Sequence, residues 1–214
     1  MCWFWHGPFT TISFVCRLDR RLYIMNVVAR DPGSTNDSYI FEGSAVRTRM
    51  QVLYARRRCH LLGDSGYALE PWMITPFARG DRPEEGTPED RFNKVHSCDR
   101  NCVERCVGLL KGRFRCVNDE RVLYYDYVKV CKIILAVCVL HNLVILGNVP
   151  HYVDEDELQN GNVNENEPEE IEGEVDLNDP DVPVAARHVA AVLAQGRVVR
   201  QEIMQQLEEA RQRR

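Results

Sequence analysis

The 214-residue sequence has no uninterrupted apolar run of membrane-spanning length. Its longest, IILAVCVLHNLVIL (133–146), is too short and holds His141 and Asn142. It reads as a buried core helix, and no membrane partner is expected. The N-terminal stretch MCWFWHGPFTTISFVC is apolar but has no early Lys or Arg, and Gly7-Pro8 interrupts it. That argues against a secretory leader. There is no CxxC among the nine cysteines, which disfavours a structural zinc or dithiol motif. Cys98, Cys102 and Cys106 recur every four residues beside His96. One helix face rarely supplies four tetrahedral ligands, so packing is the expected role of these cysteines. Their odd number and the lack of small-scaffold spacing point to reduced, intracellular thiols. P-loop and GxGxxG stretches are missing, as is a Ser/His/Asp triad order, so nothing marks a nucleotide cradle or a serine hydrolase. No internal repeat is found.

Charge of one sign is also missing locally. Residues 152–181 carry 13 acids and no Lys or Arg. They are Asn-rich and poor in large apolar side chains, and disorder is expected because they bury too little to offset ordering entropy. The formal net charge of −5 therefore conceals segregation: residues 1–151 carry 21 Lys+Arg against 16 Asp+Glu. A mildly basic body followed by an acidic tether permits a phosphate-rich partner.

Phe9–Leu18 and Leu22–Ala29, separated by Arg20-Arg21, read as a strand hairpin. The cluster ARDPGSTND (29–37) is a turn, and Ser34 or Thr35 caps a helix expected over Asp37–Met50. Arg56–Arg58 lead into a third strand, Cys59–Gly63. A long loop follows, with Pro71, Pro76, Pro83 and Pro88. The TPED capping box (87–90) opens a helix running to about Phe114, with Val103, Val107, Leu110 and Phe114 at helical spacing. A second helix over roughly Tyr125–Leu146 is apolar nearly all round and is expected to be buried. After Pro183 a helical pattern runs to the end, with Val189, Val192, Leu193, Val199, Ile203 and Leu207 as its apolar stripe.

Three acids stand out by context. Asp37 follows a Gly-Ser turn, Asp64 ends a strand in LLGDSGY, and Glu104 lies mid-helix between Val103 and Val107. Singly, each has an ordinary explanation: a helix cap, an Asp-Ser-Gly turn, or an ion pair with Arg100 or Lys111. Together, carboxylates on two strand-associated turns and a following helix suit a divalent-metal phosphodiesterase site. Hard oxygen ligands favour Mg²⁺ or Mn²⁺, and a metal pair activates water and steadies a leaving 3′ oxygen.

Four stretches, in order, carry a resemblance: NVVARDPGSTNDSYIFEGS (26–44), LLGDSGYALEPWMITPFA (61–78), EDRFNKVHSCDRNCVERCVGLLKGRFRC (89–116) and KIILAVCVLHNLVI (132–145). Over roughly residues 10–147 the chain resembles the PIF/Harbinger transposase-derived nucleases, which have a DDE-type, RNase H-like catalytic domain. The resemblance implies an α/β fold, metal-dependent hydrolysis of DNA phosphodiester bonds, and Asp37, Asp64 and Glu104 as catalytic metal ligands for Mg²⁺ or Mn²⁺. It implies DNA as substrate, a separate Myb-like DNA-binding protein as partner, and the nucleus, with the cytoplasm second, as location. One family motif is missing here: an Asp-Gly-Thr-like strand carrying the first catalytic Asp ahead of the PGS turn. Asp19 is the nearest stand-in. The implied RNase H-like core then lacks its first strand and leaves a ladder edge exposed, as a truncated or decayed copy would.

The implied organisation is an unmatched 1–9, a partial DDE domain over 10–150, an acidic linker over 151–182 and an amphipathic helix over 183–214. Two rival readings accompany the nuclease: a domesticated, non-catalytic module that binds DNA or protein, and a partner-binding C-terminal helix acting alone. Arg56–Arg58, Lys111, Arg113 and Arg115 are the candidate phosphate contacts.

Overall fold

The computed structural model describes residues 2–6, 11–18, 22–32, 37–77, 83–118, 125–148 and 184–213; side chains are described for 22–29, 38–77, 83–118, 125–148 and 187–213. The acidic segment 152–181, and with it the expectation of disorder, lies outside the described residues, as do Asp19, Ser34 and Thr35. The chain divides into two compact units, residues 1–47 with 98–164 and residues 48–97 with 165–214.

In the first unit, β1 (Cys2–His6), β2 (Thr11–Leu18) and β3 (Ile24–Pro32) form an antiparallel sheet in that order. The predicted hairpin is β2–β3, with Cys16 opposite Val27. The bare edge expected beside it is corrected: Cys2–His6 pairs along β2, with Trp3 opposite Phe14. Aromatic residues suit a pleated, half-buried surface, and this strand, CWFWH, carries no acid.

The single helix expected over Asp37–Met50 is two, α1 (Asp37–Glu42) and α2 (Ala45–Arg57). Ser44 makes the break. Its hydroxyl donates to the Phe41 carbonyl at 2.6 Å and accepts from the Arg47 N–H at 3.3 Å, closing one helix and capping the next. The predicted long helix is α3 (Pro88–Arg113). Thr87 Oγ1 accepts from the Asp90 N–H at 3.3 Å, half of the expected capping box. The Asp90 carboxylate turns instead to the Gly86 N–H and to Lys94.

The core of this unit joins Leu22, Ile24 and Ala29 to Cys106, Val107 and Leu110 of α3 and to α4 (Tyr127–Leu146). Asp126 caps α4 by accepting from the Lys129 N–H. Such a cap is worth about 1 kcal/mol, whereas each buried Val or Ile is worth roughly 1.5–3 kcal/mol, so packing dominates. The expectation that α4 is buried nearly all round is corrected. Val130, Cys131, Ile134, Val137, Cys138 and His141 face the core, while Val128, Leu135, Val139, Leu140, Leu143 and Leu146 are exposed. The run judged too short for a membrane is also longer as a helix: its 20 residues pass the length and composition test for a span. Its observed role here is to pack one face into the core.

Two polar residues fasten α4 to the hairpin. Asn142 Oδ1 accepts from the Ile24 N–H, and Nδ2 donates to the Ile24 carbonyl, both at 2.8 Å. His141, fully buried, places Nε2 2.9 Å from the Leu22 carbonyl and Nδ1 3.4 Å from Arg113 Nη1. A carbonyl only accepts and a guanidinium only donates, so the imidazole carries its proton on Nε2. Leu22, just before β3, sits at φ +64, a conformation that L-residues rarely adopt. His141 anchors Leu22 from the core.

The second unit holds β4 (Leu61–Leu62) and β5 (Met73–Ile74), which pair in parallel, the early turns of α3, and α5 (Val184–Gln212). β5 lies inside the segment expected to be an irregular loop. Ile74, Phe92 and Val199 form the core, flanked by Tyr54, Phe77, Ile203 and Met204. The reading of the C-terminal helix as a free partner-binding element is corrected, because Val199 and Ile203 of its stripe are used within this unit.

Candidate functional site

Asp64 stands one residue past the parallel pair. The Leu61 N–H donates to the Trp72 carbonyl at 2.8 Å and the Gly63 N–H to the Ile74 carbonyl at 2.9 Å, so the backbone is fixed up to the residue before the acid. Gly63 is needed there: a Cβ would stand 2.8 Å from Met73 Sδ and 3.1 Å from the buried Tyr67 ring. The chain then turns. Asp64 Oδ1 accepts from the Gly66 N–H at 2.9 Å, and the Asp64 carbonyl accepts from the Tyr67 N–H at 3.3 Å. Asp64 thus makes the Asx turn of the ordinary reading. That turn also fixes the direction of a half-buried carboxylate at a strand end.

Strand β5 is itself held from α3. His96, 4% exposed, points Nε2 at the Ile74 carbonyl (3.1 Å), and Asn93 Oδ1 accepts from the Phe77 N–H (2.9 Å). Sequence reading missed this pair. The available signal was two polar residues three apart on one helix face, next to the buried Phe92.

Glu104 lies on α3 and is exposed. Asp37 opens α1, and its side chain lies outside the described residues. Asp37 and Glu104 belong to the first unit and Asp64 to the second. Among the described residues no three His, Cys, Asp or Glu side chains are gathered to hold a metal ion. The chemistry of the donor set itself, three carboxylates, fits a hard divalent cation.

The cysteine series behaves as packing. Cys98 is exposed, Cys102 half-buried and Cys106 buried, with Cys106 Sγ 3.6 Å from both the Leu22 carbonyl and His141 Nε2. Burial pushes the Cys102 thiol above its ordinary pKa. Among the cysteines whose side chains are described, from Cys59 to Cys138, none is in a disulfide. Of the candidate phosphate contacts, Arg58 pairs with Glu202 at 2.9 Å and Arg113 is engaged with His141, while Arg56, Arg57 and Arg115 are exposed.

Comparison with known families matches residues 2–142, more than half of the chain, to the DDE superfamily endonuclease family. The chain belongs to the DDE superfamily endonucleases. The match takes in residues 2–9, which sequence reading set apart. Among curated relatives, "Putative nuclease HARBI1" of Bos taurus is 33% identical over 126 residues, covering 58% of this chain and 35% of that protein. The Mus musculus protein of the same name is 34% identical over the same length. "Protein ALP1-like" of Arabidopsis thaliana is 30% identical over 140 residues, covering 60% of this chain and 34% of that protein. The resemblance to Harbinger transposase-derived nucleases therefore holds, and this DDE endonuclease chain spans about a third of the length of those relatives. No solved structure matches it. DDE nucleases generally use divalent metals.

Proposed function

We propose that the chain is a divalent-metal-dependent nuclease of the Harbinger transposase-derived type, built on an RNase H-like core, that hydrolyses DNA phosphodiester bonds. The observation that carries this reading is the Asp64 turn. Within a match to DDE endonucleases over residues 2–142, it is a strand-end carboxylate held by β4, β5 and its own Asx hydrogen bond. The antiparallel ladder followed by helices supports an RNase H-like reading of the first unit. Asp37, Asp64 and Glu104 would hold Mg²⁺ or Mn²⁺, which when bound supplies Lewis-acid stabilisation of charge at the scissile phosphate. The protein's own part is to present the carboxylates from rigid elements. Exposed Arg56, Arg57 and Arg115 supply phosphate contacts that would position DNA without reading its sequence. A Myb-like DNA-binding partner would add sequence choice, and the nucleus is the fitting compartment.

One observation favours a second reading, a non-catalytic module that binds DNA or protein. The strand paired with β2, CWFWH, carries no acid. Nicking of supercoiled plasmid in Mn²⁺ separates the two. The nuclease reading expects open circles from the wild-type chain and none from Asp64→Ala or Glu104→Ala. Plasmid binding that survives both substitutions, with no nicking at any Mn²⁺ concentration, establishes the second reading instead.

A further inference from the structure

Helix α5 lies beyond residue 142, where the family match ends, yet it is fitted to the segment that carries Asp64. Gly196, buried in mid-helix, is the closest approach: a Cβ there would stand 3.1 Å from the Leu69 carbonyl oxygen and the Glu70 carbonyl carbon. Glycine inside a helix is less stable than alanine, so its presence calls for a packing reason, and this approach supplies one. Three residues on, Val199 is buried in the cluster with Ile74 and Phe92. Arg200 Nη1 donates to the Pro76 carbonyl at 2.9 Å and the Thr75 carbonyl at 3.4 Å, and its guanidinium lies 4.0 Å over the Phe77 ring.

Farther along, Glu208 receives a two-pronged bond from Arg91 on α3, Nε to Oε1 at 2.6 Å and Nη2 to Oε2 at 2.5 Å. Arg91 also donates to the Gly86 carbonyl in the turn before α3. The Arg91 and Glu208 side chains are 28% and 22% exposed, so this pair is shielded more than the Arg58–Glu202 pair at 64% and 48%. Bidentate guanidinium–carboxylate pairs fix geometry as well as attract. α5 is thus tied at one point to β5 and the residues after it, and at another to the first turns of α3.

We propose that α5 is a positioning strut for the candidate metal site, with Gly196, Arg200 and Glu208 as its positioning residues. Docking of α5 holds β5 against the first turns of α3. β5 in turn fixes Gly63, the residue before Asp64. The inference rests on the reading of Asp64 and Glu104 as metal ligands. An outer layer of this kind sets ligand orientation, and disturbing it costs about 10–100-fold in metal affinity.

The test uses the full chain with Gly196→Val, with Arg91→Glu and Glu208→Arg singly, and with the last two combined. Far-UV circular dichroism reports folding. The readouts are the Mn²⁺ concentration for half-maximal plasmid nicking and Mn²⁺ binding followed by the EPR signal of the free ion, which needs no turnover. In folded Gly196→Val and in each single charge reversal, both Mn²⁺ midpoints should rise about tenfold. The combined reversal rebuilds the pair and should bring them back toward wild type. If Gly196→Val loses its helicity, the charge-reversal set decides alone. Midpoints equal to wild type in every variant overturn the strut, as does a combined variant no better than the singles. If Asp64→Ala nicks like wild type, or if the wild type binds no Mn²⁺, the site reading falls and the strut with it. If the wild type depends on Asp64 while the α5 variants match it, only the strut falls.

Discussion

Asn142 on α4 and Ile24 on β3 exchange two hydrogen bonds, Ile24 N–H to Oδ1 and Nδ2–H to the Ile24 carbonyl, each 2.8 Å long. A side-chain amide here takes the place of a neighbouring strand at the start of β3. Asn142→Ala removes both partners and leaves a partly buried N–H and C=O to find water. A lost hydrogen bond is worth about 0.5–1.5 kcal/mol, and an unsatisfied buried group costs about 1–3 kcal/mol. A destabilisation of about 2–3 kcal/mol is expected in urea unfolding. Asn142→Asp keeps the acceptor for the Ile24 N–H but sets a second acceptor against the Ile24 carbonyl, and should be no more stable than alanine at neutral pH. An alanine variant as stable as wild type would show that the pair carries no weight.

Gly63 is expected to tolerate no side chain without moving the Asp64 turn. A Cβ there meets Met73 Sδ at 2.8 Å and the buried Tyr67 ring at 3.1 Å. Met73 can yield, because thioether side chains are adaptable, so Gly63→Ala should cost about 1–3 kcal/mol, the range of overpacking. Gly63→Val should cost more and should also weaken Mn²⁺-dependent nicking. Wild-type nicking by a folded Gly63→Val chain would separate the turn from the chemistry.

Acid should loosen the attachment of α5 to α3. The Arg91 hydrogen bond holds the Glu208 carboxyl below its ordinary value of 4.5, and Lys94 and the Gly86 N–H do the same for Asp90, whose ordinary value is 3.8. A carboxylate whose pKa is depressed by folding adds stability that is complete above its unfolded pKa and is lost as pH falls through the folded one. Urea midpoints measured from neutral pH downward should therefore decline below about 4.5 for Glu208 and 3.8 for Asp90. Glu208→Gln should flatten the decline in the upper part of that window. Parallel curves for wild type and variant would remove Glu208 from the account.

Periodic and capped elements were legible in the sequence. The β2–β3 hairpin, the Thr87-capped α3 and the extent of α4 all follow from local pattern and turn chemistry, whereas the Asp126 cap of α4 was not read. Elements whose partners lie far along the chain were not. Met73–Ile74 sits between Pro71 and Pro76 and becomes a strand only because Leu61–Leu62 pairs with it. Cys2–His6 likewise depends on β2. His141 and Asn142 were visible as polar residues in an apolar run, which signals satisfied buried partners, but the sequence does not say that those partners are Leu22 and Ile24. Gly196 inside the α5 pattern carried a signal of close approach that sequence reading did not use. At the candidate site, the turn at Asp64 was readable from Asp-Ser-Gly, whereas its support from His96 and Asn93 required the packed structure.

The central proposal is that Asp37, Asp64 and Glu104 act as divalent-cation ligands. Titration of Mn²⁺ into the full chain, with the free ion counted by EPR, addresses it without turnover. The account predicts a binding event in the wild type that Asp37→Asn, Asp64→Asn and Glu104→Gln each weaken by about tenfold or more, with the triple variant losing it. Single variants that bind Mn²⁺ as the wild type does would contradict it.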